Sequence, residues 1–214
     1  MRYAVVMLNG SGDKYKVGIL GGTFDPVHNA HLAIVDEARL QLELDEVVFV
    51  PAGQPWMKSD RVITAAEHRV AMLRLAIADK YGFRLSTMEI DRPGPSYTVD
   101  TLKKLSNEFV ELAELFFIIG WDSLPYLPRW KEPEHIIELC HLVALPRPGY
   151  SLPDLDALDK KVPGLLRRII ILERPQIDIS ATEIRERVAK GLDISKLVPQ
   201  AVAEYIREKG LYRG

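Results

Sequence analysis

The chain has 214 residues, 47% of them hydrophobic, and its 28 Lys and Arg against 30 Asp and Glu leave a net charge of −2. That length suits one domain with a sizeable core and an appended subregion, and the balanced charge gives no electrostatic reason to expect nucleic acid. A single cysteine, Cys140, excludes an intrachain disulfide framework and fits a reducing cytoplasm, while no apolar run approaches the ~20 residues of a membrane span.

Residues 1–15 read as an N-terminal extension. Their apolar part, Ala4 to Leu8, is shorter than the ~7–15 residues of a signal-peptide core, and the N-G-S-G-D-K that follows is a turn or linker. Residues 16–214 read as one α/β domain with a helical C-terminal part. Val17 to Leu20 is a compact, partly β-branched run that predicts a buried strand. Gly21 and Gly22 then predict a tight turn, where glycine's backbone freedom lets a ligand approach main-chain N–H groups. Pro26 disfavours helix at Asp25, so a helix is expected to start at Val27 to Asn29. His28 and His31, three residues apart, would share a face of its first turn, where unpaired N–H groups and the positive end of the helix dipole favour an anion such as a phosphate chain.

Other readings of this stretch stand beside that one. The sequence matches neither G-x-x-x-x-G-K-[ST] nor G-x-G-x-x-G. A zinc site would need further ligands, and Cys140, His68, His135 and His141 have no compact spacing. Two histidines can also serve as caps or core residues.

Further along, Leu32 to Leu42 has helical period and Val47 to Val50 reads as a second buried strand, which makes a βαβ unit and a parallel sheet. Pro51 to Arg61 is a loop at a strand's carboxyl end, the place where open α/β sheets bind ligands, so Lys58 is a candidate to face the site. Thr64 and Glu67 have the spacing of a capping box for a helix running to about Lys80. Phe83 to Ser86 predicts a short strand. Pro93-Gly94-Pro95 enforces an irregular loop before a helix starting near Tyr97 or Thr98, with Ser96 and Thr98 able to cap it. Leu115 to Ile119 is the most strand-like run, and Asp122 beyond it is a candidate N-cap. A helix over Glu134 to Leu139, strands over His141 to Leu145 and Arg168 to Leu172, and a turn over Arg147 to Tyr150 follow. Ser180 and Glu183 form a second capping-box pattern, and Arg185 stands near that helix start, where its guanidinium and the N–H groups could hold phosphate oxygens. A terminal helix follows Val198-Pro199.

G-G-T-F-D-P-V-H-N-A-H, Gly21 to His31, resembles the G-G-T-F-D-P-x-H-x-G-H signature of the nucleotidyltransferase superfamily, specifically of bacterial nicotinate-nucleotide adenylyltransferases; Ala30 replaces the usual Gly. I-S-A-T-E-I-R, Ile179 to Arg185, resembles that family's I-S-S-T-x-I-R. S-Y-T-V-D-T-L from Ser96 resembles its mononucleotide-recognition segment. Gly120 to Leu124 with Leu127 to Trp130 matches G-x-D-S-L and L-P-x-W, with Lys131 where Tyr is usual.

The resemblance covers Val17 to Tyr212. It implies a Rossmann-like doubly wound parallel sheet with flanking helices, and transfer of AMP from ATP to nicotinate mononucleotide in cytoplasmic NAD biosynthesis. His28, His31 and Arg185 would be catalytic, neutralising charge on the phosphates together with Lys58. ATP would also meet Gly21, Gly22, Thr23, Phe24, Gly120, Asp122, Ile179, Ser180 and Thr182. The mononucleotide would meet Asp25, Lys58, Tyr97, Thr98 and Trp130, whose indole would stack on the pyridine ring. Donors at the Tyr97-Thr98 helix start would favour the acid form of the acceptor, with Glu89 and Asp91 turned away by the Pro-Gly-Pro loop. Mg2+ would ride on ATP without a protein metal site, no nucleic acid or membrane partner is expected, and a homo-oligomer is compatible with the sequence. The alternatives are transfer to nicotinamide mononucleotide or another phosphorylated acceptor such as phosphopantetheine, and a non-catalytic nucleotide- or metal-binding module.

Overall fold

The computed structural model describes residues 14–55, 63–109 and 113–213. Within them β1 (Tyr15–Gly22), β2 (Glu46–Pro51), β3 (Phe83–Leu85), β4 (Ala113–Gly120), β5 (His141–Leu145) and β6 (Ile169–Ile171) form one parallel six-stranded sheet in the order β3-β2-β1-β4-β5-β6. The strand alternation assigns side chains to two apolar layers. On β4, Phe116 and Ile118 enter one layer, while Leu115, Phe117 and Ile119 enter the other. The first layer is closed by α1 (Asn29–Leu42), α2 (Ala66–Ile77), α6 (Ala181–Ala189) and α7 (Gln200–Glu208) through Val35, Leu73, Ile184 and Val202. The second is closed by α3 (Thr98–Phe109), α4 (Pro133–Leu139) and the short α5 (Leu155–Asp159) through Leu102, Ile136 and Leu158. No described helix is long and apolar enough to cross a membrane.

The order reverses between β1 and β4. Chain connections leave those adjacent strands for opposite faces of the sheet, which opens a crevice at their carboxyl ends, the place where doubly wound sheets bind nucleotides. Gly22 ends β1 and Gly120 ends β4, so the expected parallel α/β sheet puts the two motif-bearing strand ends side by side.

Several local expectations are corrected. Gly21 and Gly22 are the last residues of β1 rather than a turn, and neither has positive φ; the left-handed residue is Phe24, at φ 50°. A Cβ on Gly22 would lie 3.0 Å from the Phe24 ring, so glycine is wanted there for space. Thr64 does not cap α2, whose N-cap is Ala65 with no side-chain bond. The helix also ends at Ile77, before Lys80. The Thr64 backbone instead donates to the Asp25 carboxylate and accepts from Arg69. Tyr15, at the boundary of the expected extension, already pairs with Ala113 in the sheet.

Beyond β2 the chain is stitched to the loop before α3. The Ser96 hydroxyl accepts from the N–H groups of Gly53 at 3.0 Å and Gln54 at 3.3 Å, and the Ser96 N–H donates to the Gln54 carbonyl at 2.9 Å. A Cβ on Gly53 would overlap the Glu89 carbonyl oxygen, which is backbone and cannot swing aside. Gly53→Ala is therefore expected to lower the free energy of unfolding by about 1–3 kcal/mol in urea titration. An unchanged midpoint would mean that this seam has slack.

Candidate active site

The sheet's crevice is a cleft of about 430 Å³, lined by segments that are far apart in sequence. The end of β1 and the start of α1 contribute Gly21 to Asp25, His28 and His31; the end of β4 contributes Gly120 and Asp122; the start of α6 contributes Ile179, Ser180, Thr182 and Arg185. Thr98 and Trp130 line it as well. Of the remaining expected residues, Lys58 lies outside the described residues. Tyr97 immediately precedes α3 but carries the Lys131 ammonium 4.9 Å over its ring and is not among the cleft's lining side chains.

His28 is the N-cap of α1, in extended conformation, and its backbone N–H donates to Nδ1 of His31 at 3.2 Å. The two rings stack with centroids 3.6 Å apart, and Phe24 meets His31 edge-on at 5.0 Å. An acceptor at Nδ1 puts the proton of the neutral His31 ring on Nε2. Burial pushes the His28 imidazole from about 6.5 down to about 3, with the Arg147 charge adding to the effect. His28 is thus neutral at physiological pH in the ligand-free protein, a hydrogen-bonding group and not a full charge.

At α6, the Ser180 hydroxyl accepts from the Glu183 N–H at 3.1 Å, which fulfils half of the expected capping box. The Glu183 carboxylate reaches Arg187 at 4.0 Å. Arg185 donates from Nη1 to the Asp25 carbonyl at 2.7 Å and from Nη2 to Thr182 Oγ1 at 3.2 Å, pinning the start of α6 against the first motif. Asp122 is no N-cap. Gly120 occupies that position for the 3-10 helix Trp121–Arg129, and the Asp122 carboxylate accepts from Arg147 at 2.8 Å. Arg147 itself lines the cleft, a cation that the Arg-Pro-Gly-Tyr turn pattern did not single out.

Asp25 is 6% exposed, so its carboxylate must be compensated inside the protein. Oδ1 accepts from the Tyr212 hydroxyl at 2.8 Å and Oδ2 from the Thr64 N–H at 3.3 Å. Behind it lies Arg69, 2% exposed, whose Nη1 donates to the Thr23 carbonyl at 2.8 Å and whose Nε donates to the Thr64 carbonyl at 2.9 Å. Burial lowers the Arg69 pKa while the nearby Asp25 opposes that shift. The sequence reading missed Arg69 because an arginine among apolar positions of an amphipathic helix looks like a surface residue; only the tertiary fold brings Asp25 to it.

Glu89, against the expectation from the Pro-Gly-Pro loop, does not turn away from the cleft. It is buried and lines the cleft, whereas Asp91 does turn outward, its carboxylate accepting from Thr87 Oγ1 at 2.7 Å. Glu89 Oε1 accepts from Thr101 Oγ1 at 2.5 Å. Burial raises its pKa, and hydrogen bonds from Thr101 and Ser96 hold it back. The Trp130 indole sits edge-on to Phe117, centroids 6.1 Å apart, and its Nε1–H is buried with no acceptor among the described residues. Cys140 is no nucleophile: it is fully buried, and burial pushes its thiol up to about 12. Among the described residues no three His, Cys, Asp or Glu are grouped so as to hold a metal ion.

His28 gives a pH prediction. Its pKa is about 6.5 unfolded and about 3 folded, so between those values the unfolded chain binds a proton that the folded chain does not. Stability should fall as pH drops through that window, by up to ~1.4 kcal/mol per pH unit from this group. In urea titrations from pH 7 to 4.5, His28→Asn should flatten that slope; the same slope in both proteins would contradict a buried neutral imidazole.

Comparison with known proteins agrees with this geometry. The cytidylyltransferase-like family model matches residues 19–187. A probable nicotinate-nucleotide adenylyltransferase of Dehalococcoides mccartyi (strain CBDB1) is 52% identical over 197 residues, spanning 92% of this chain and 97% of the relative. One from Roseiflexus sp. (strain RS-1) is 48% identical over 92% of this chain and 98% of its own length. Among solved structures, the nicotinic acid mononucleotide adenylyltransferase of Plasmodium falciparum complexed with NaAD superposes with a TM-score of 0.76 at 22% identity, covering 92% of this chain and 97% of that one, which shows the fold. Two helix starts and two strand ends meeting at one crevice, together with relatives this similar over nearly their whole length, place the chain in the cytidylyltransferase-like family and, within it, among the nicotinate-nucleotide adenylyltransferases.

Proposed function

We propose that the chain transfers AMP from ATP to nicotinate mononucleotide, releasing pyrophosphate and deamido-NAD. The observation that carries this reading is the convergence of the N-termini of α1 and α6, with Arg185 and Arg147, on the crevice between β1 and β4. Each helix start presents roughly half a positive charge, so the crevice suits a triphosphate. The α3 start at Thr98 and the buried Trp130 N–H, on the same cleft, suit a planar acceptor with an anionic substituent.

With no activated nucleophile among the described residues of the cleft, catalysis is positioning and charge stabilisation. The mononucleotide's phosphate oxygen attacks the α-phosphorus of ATP in line, a new P–O bond forms, and the bond to the β-phosphate oxygen breaks as pyrophosphate takes the electron pair. His31, with its proton on Nε2, and neutral His28 donate hydrogen bonds to oxygens that gain charge. Arg185 and Arg147 supply positive charge on the same cleft. Lys58 is a further candidate for that role. Mg2+ enters with ATP, where it offsets phosphate charge. The assignments of Gly21, Gly22, Thr23, Phe24, Gly120, Asp122, Ile179, Ser180 and Thr182 to ATP, and of Asp25, Tyr97, Thr98 and Trp130 to the mononucleotide, belong to the same proposal, as do a cytoplasmic setting and a single domain over residues 16–214.

Acceptor choice follows from Glu89. A carboxylate on the acceptor side would repel the acid, but Glu89 is held by the hydroxyls of Thr101 and Ser96 and its charge is disfavoured by burial. Donors at the α3 start then favour the acid, because the amide leaves a buried donor poorly paired, a penalty of ~1–3 kcal/mol. Pyrophosphate release should give kcat/KM for nicotinate mononucleotide at least ~10-fold above the nicotinamide form, with phosphopantetheine inactive. Equal rates for the two pyridine acceptors would sink the acid preference.

His31→Ala should lower kcat by at least ~10²-fold and change ATP affinity much less, since its hydrogen bond strengthens as charge develops. Near-normal turnover would remove His31 from catalysis.

A further inference from the structure

We infer that Tyr212 is a positioning residue of the active site, holding the turn that carries His28 through the Asp25 carboxylate. Tyr212 lies 187 residues from Asp25 in sequence, yet its hydroxyl donates to Asp25 Oδ1 at 2.8 Å. It follows α7 in the left-handed region, at φ 63°, a conformation that a residue with a Cβ adopts only when its surroundings compensate. The packing that supplies this is the first apolar layer, which Tyr212 and Leu211 join. The ring is therefore brought to the site at a conformational cost, and its polar atom goes to the one buried carboxylate in the signature turn.

What that bond controls follows from Asp25's other contacts. Its carbonyl receives Arg185, its carboxylate receives the Thr64 N–H, and the residue before Phe24, Thr23, is held by Arg69. Three residues beyond Asp25, His28 caps α1 and fixes the His31 ring through its N–H. Asp25 thus holds the catalytic arginine by a hydrogen bond and sits three residues before the histidine that caps α1, and Tyr212 is its support from outside the motifs. Without the hydroxyl, Oδ1 loses its donor in a buried setting and the turn must shift to find another. Burial and the Asp25 charge raise the Tyr212 pKa, so the phenol stays a donor through the working pH range.

Tyr205 provides the control. It belongs to α7 and its hydroxyl meets His68 Nδ1 of α2 at 2.9 Å, a bond in the same helical packing that does not reach the turn. The test compares Tyr212→Phe with Tyr205→Phe in the full chain, by kinetics with ATP and nicotinate mononucleotide and by NMR of the His28 and His31 ring signals in the ligand-free protein. Tyr212→Phe is expected to lower kcat about 10-fold with either KM changed less than about threefold, and to shift the histidine signals. Tyr205→Phe should do neither at a similar melting temperature. Wild-type kcat and unmoved signals in Tyr212→Phe, or equal losses in both variants, would overturn the proposal. The proposal rests on the adenylyltransferase reading for its kinetic arm alone: a wild-type protein without turnover would count against that reading, and the histidine signals would still decide the role of Tyr212. Should Tyr212→Phe fail to fold, Asp25→Asn, which keeps the shape and weakens the same bond, is read by the histidine signals, because Asp25 is itself assigned to the mononucleotide; unmoved signals there would overturn the proposal.

Discussion

The reversal of strand order between β1 and β4 is the constraint on which the site depends. Because the chain leaves these neighbouring strands toward opposite faces, a gap opens at their carboxyl ends, and strand ends and helix starts line it together with loop residues such as Glu89 and Arg147. Backbone N–H groups at helix starts are fixed dipoles that need no reorganisation when charge moves during reaction. Gly22 and Gly120 at the strand ends keep the gap clear: a Cβ on the first would press on Phe24, and a Cβ on the second would overlap the Asp122 carboxylate.

The crevice needs reinforcement, because helix starts on separate segments do not stay in register by themselves. Asp25 supplies it at the cost of a buried charge. Its carbonyl holds Arg185 of α6, its carboxylate holds Thr64 before α2 and Tyr212 after α7, and Arg69 lies behind it. Removing one partner of such a cluster leaves an uncompensated charge, whereas the intact set restricts the turn to one arrangement. On the other side of the cleft, Ser96 and Glu89 perform the same service with neutral donors, tying the exit of β2 to the start of α3.

The electrostatics of the histidine pair follow from packing. His28 is desolvated by the stacked His31 ring and the turn around it, so it loses its charge. His31 gives Nδ1 to a backbone N–H and so keeps its proton on Nε2. Two neighbouring histidines on one helix turn are therefore oriented hydrogen-bonding groups, and among the described residues that line the cleft the positive charges are those of Arg185 and Arg147.

The sequence by itself determined the parallel α/β sheet, through apolar runs separated by helical periods, and it located the cleft, through Gly21 to His31 and Ile179 to Arg185. These signals are local: a strand's alternation, a helix's period and a capping serine depend on neighbours within a few residues. Tertiary structure alone decided three things. It turned Glu89 into the cleft, because Gly53 lets the β2 exit pack against the Glu89 backbone. It made Arg69 a buried cation and Tyr212 a site residue, because only folding brings the start of α2 and the end of α7 to Asp25. And it left His28 neutral, because a pKa depends on solvent exclusion by residues that no sequence spacing specifies.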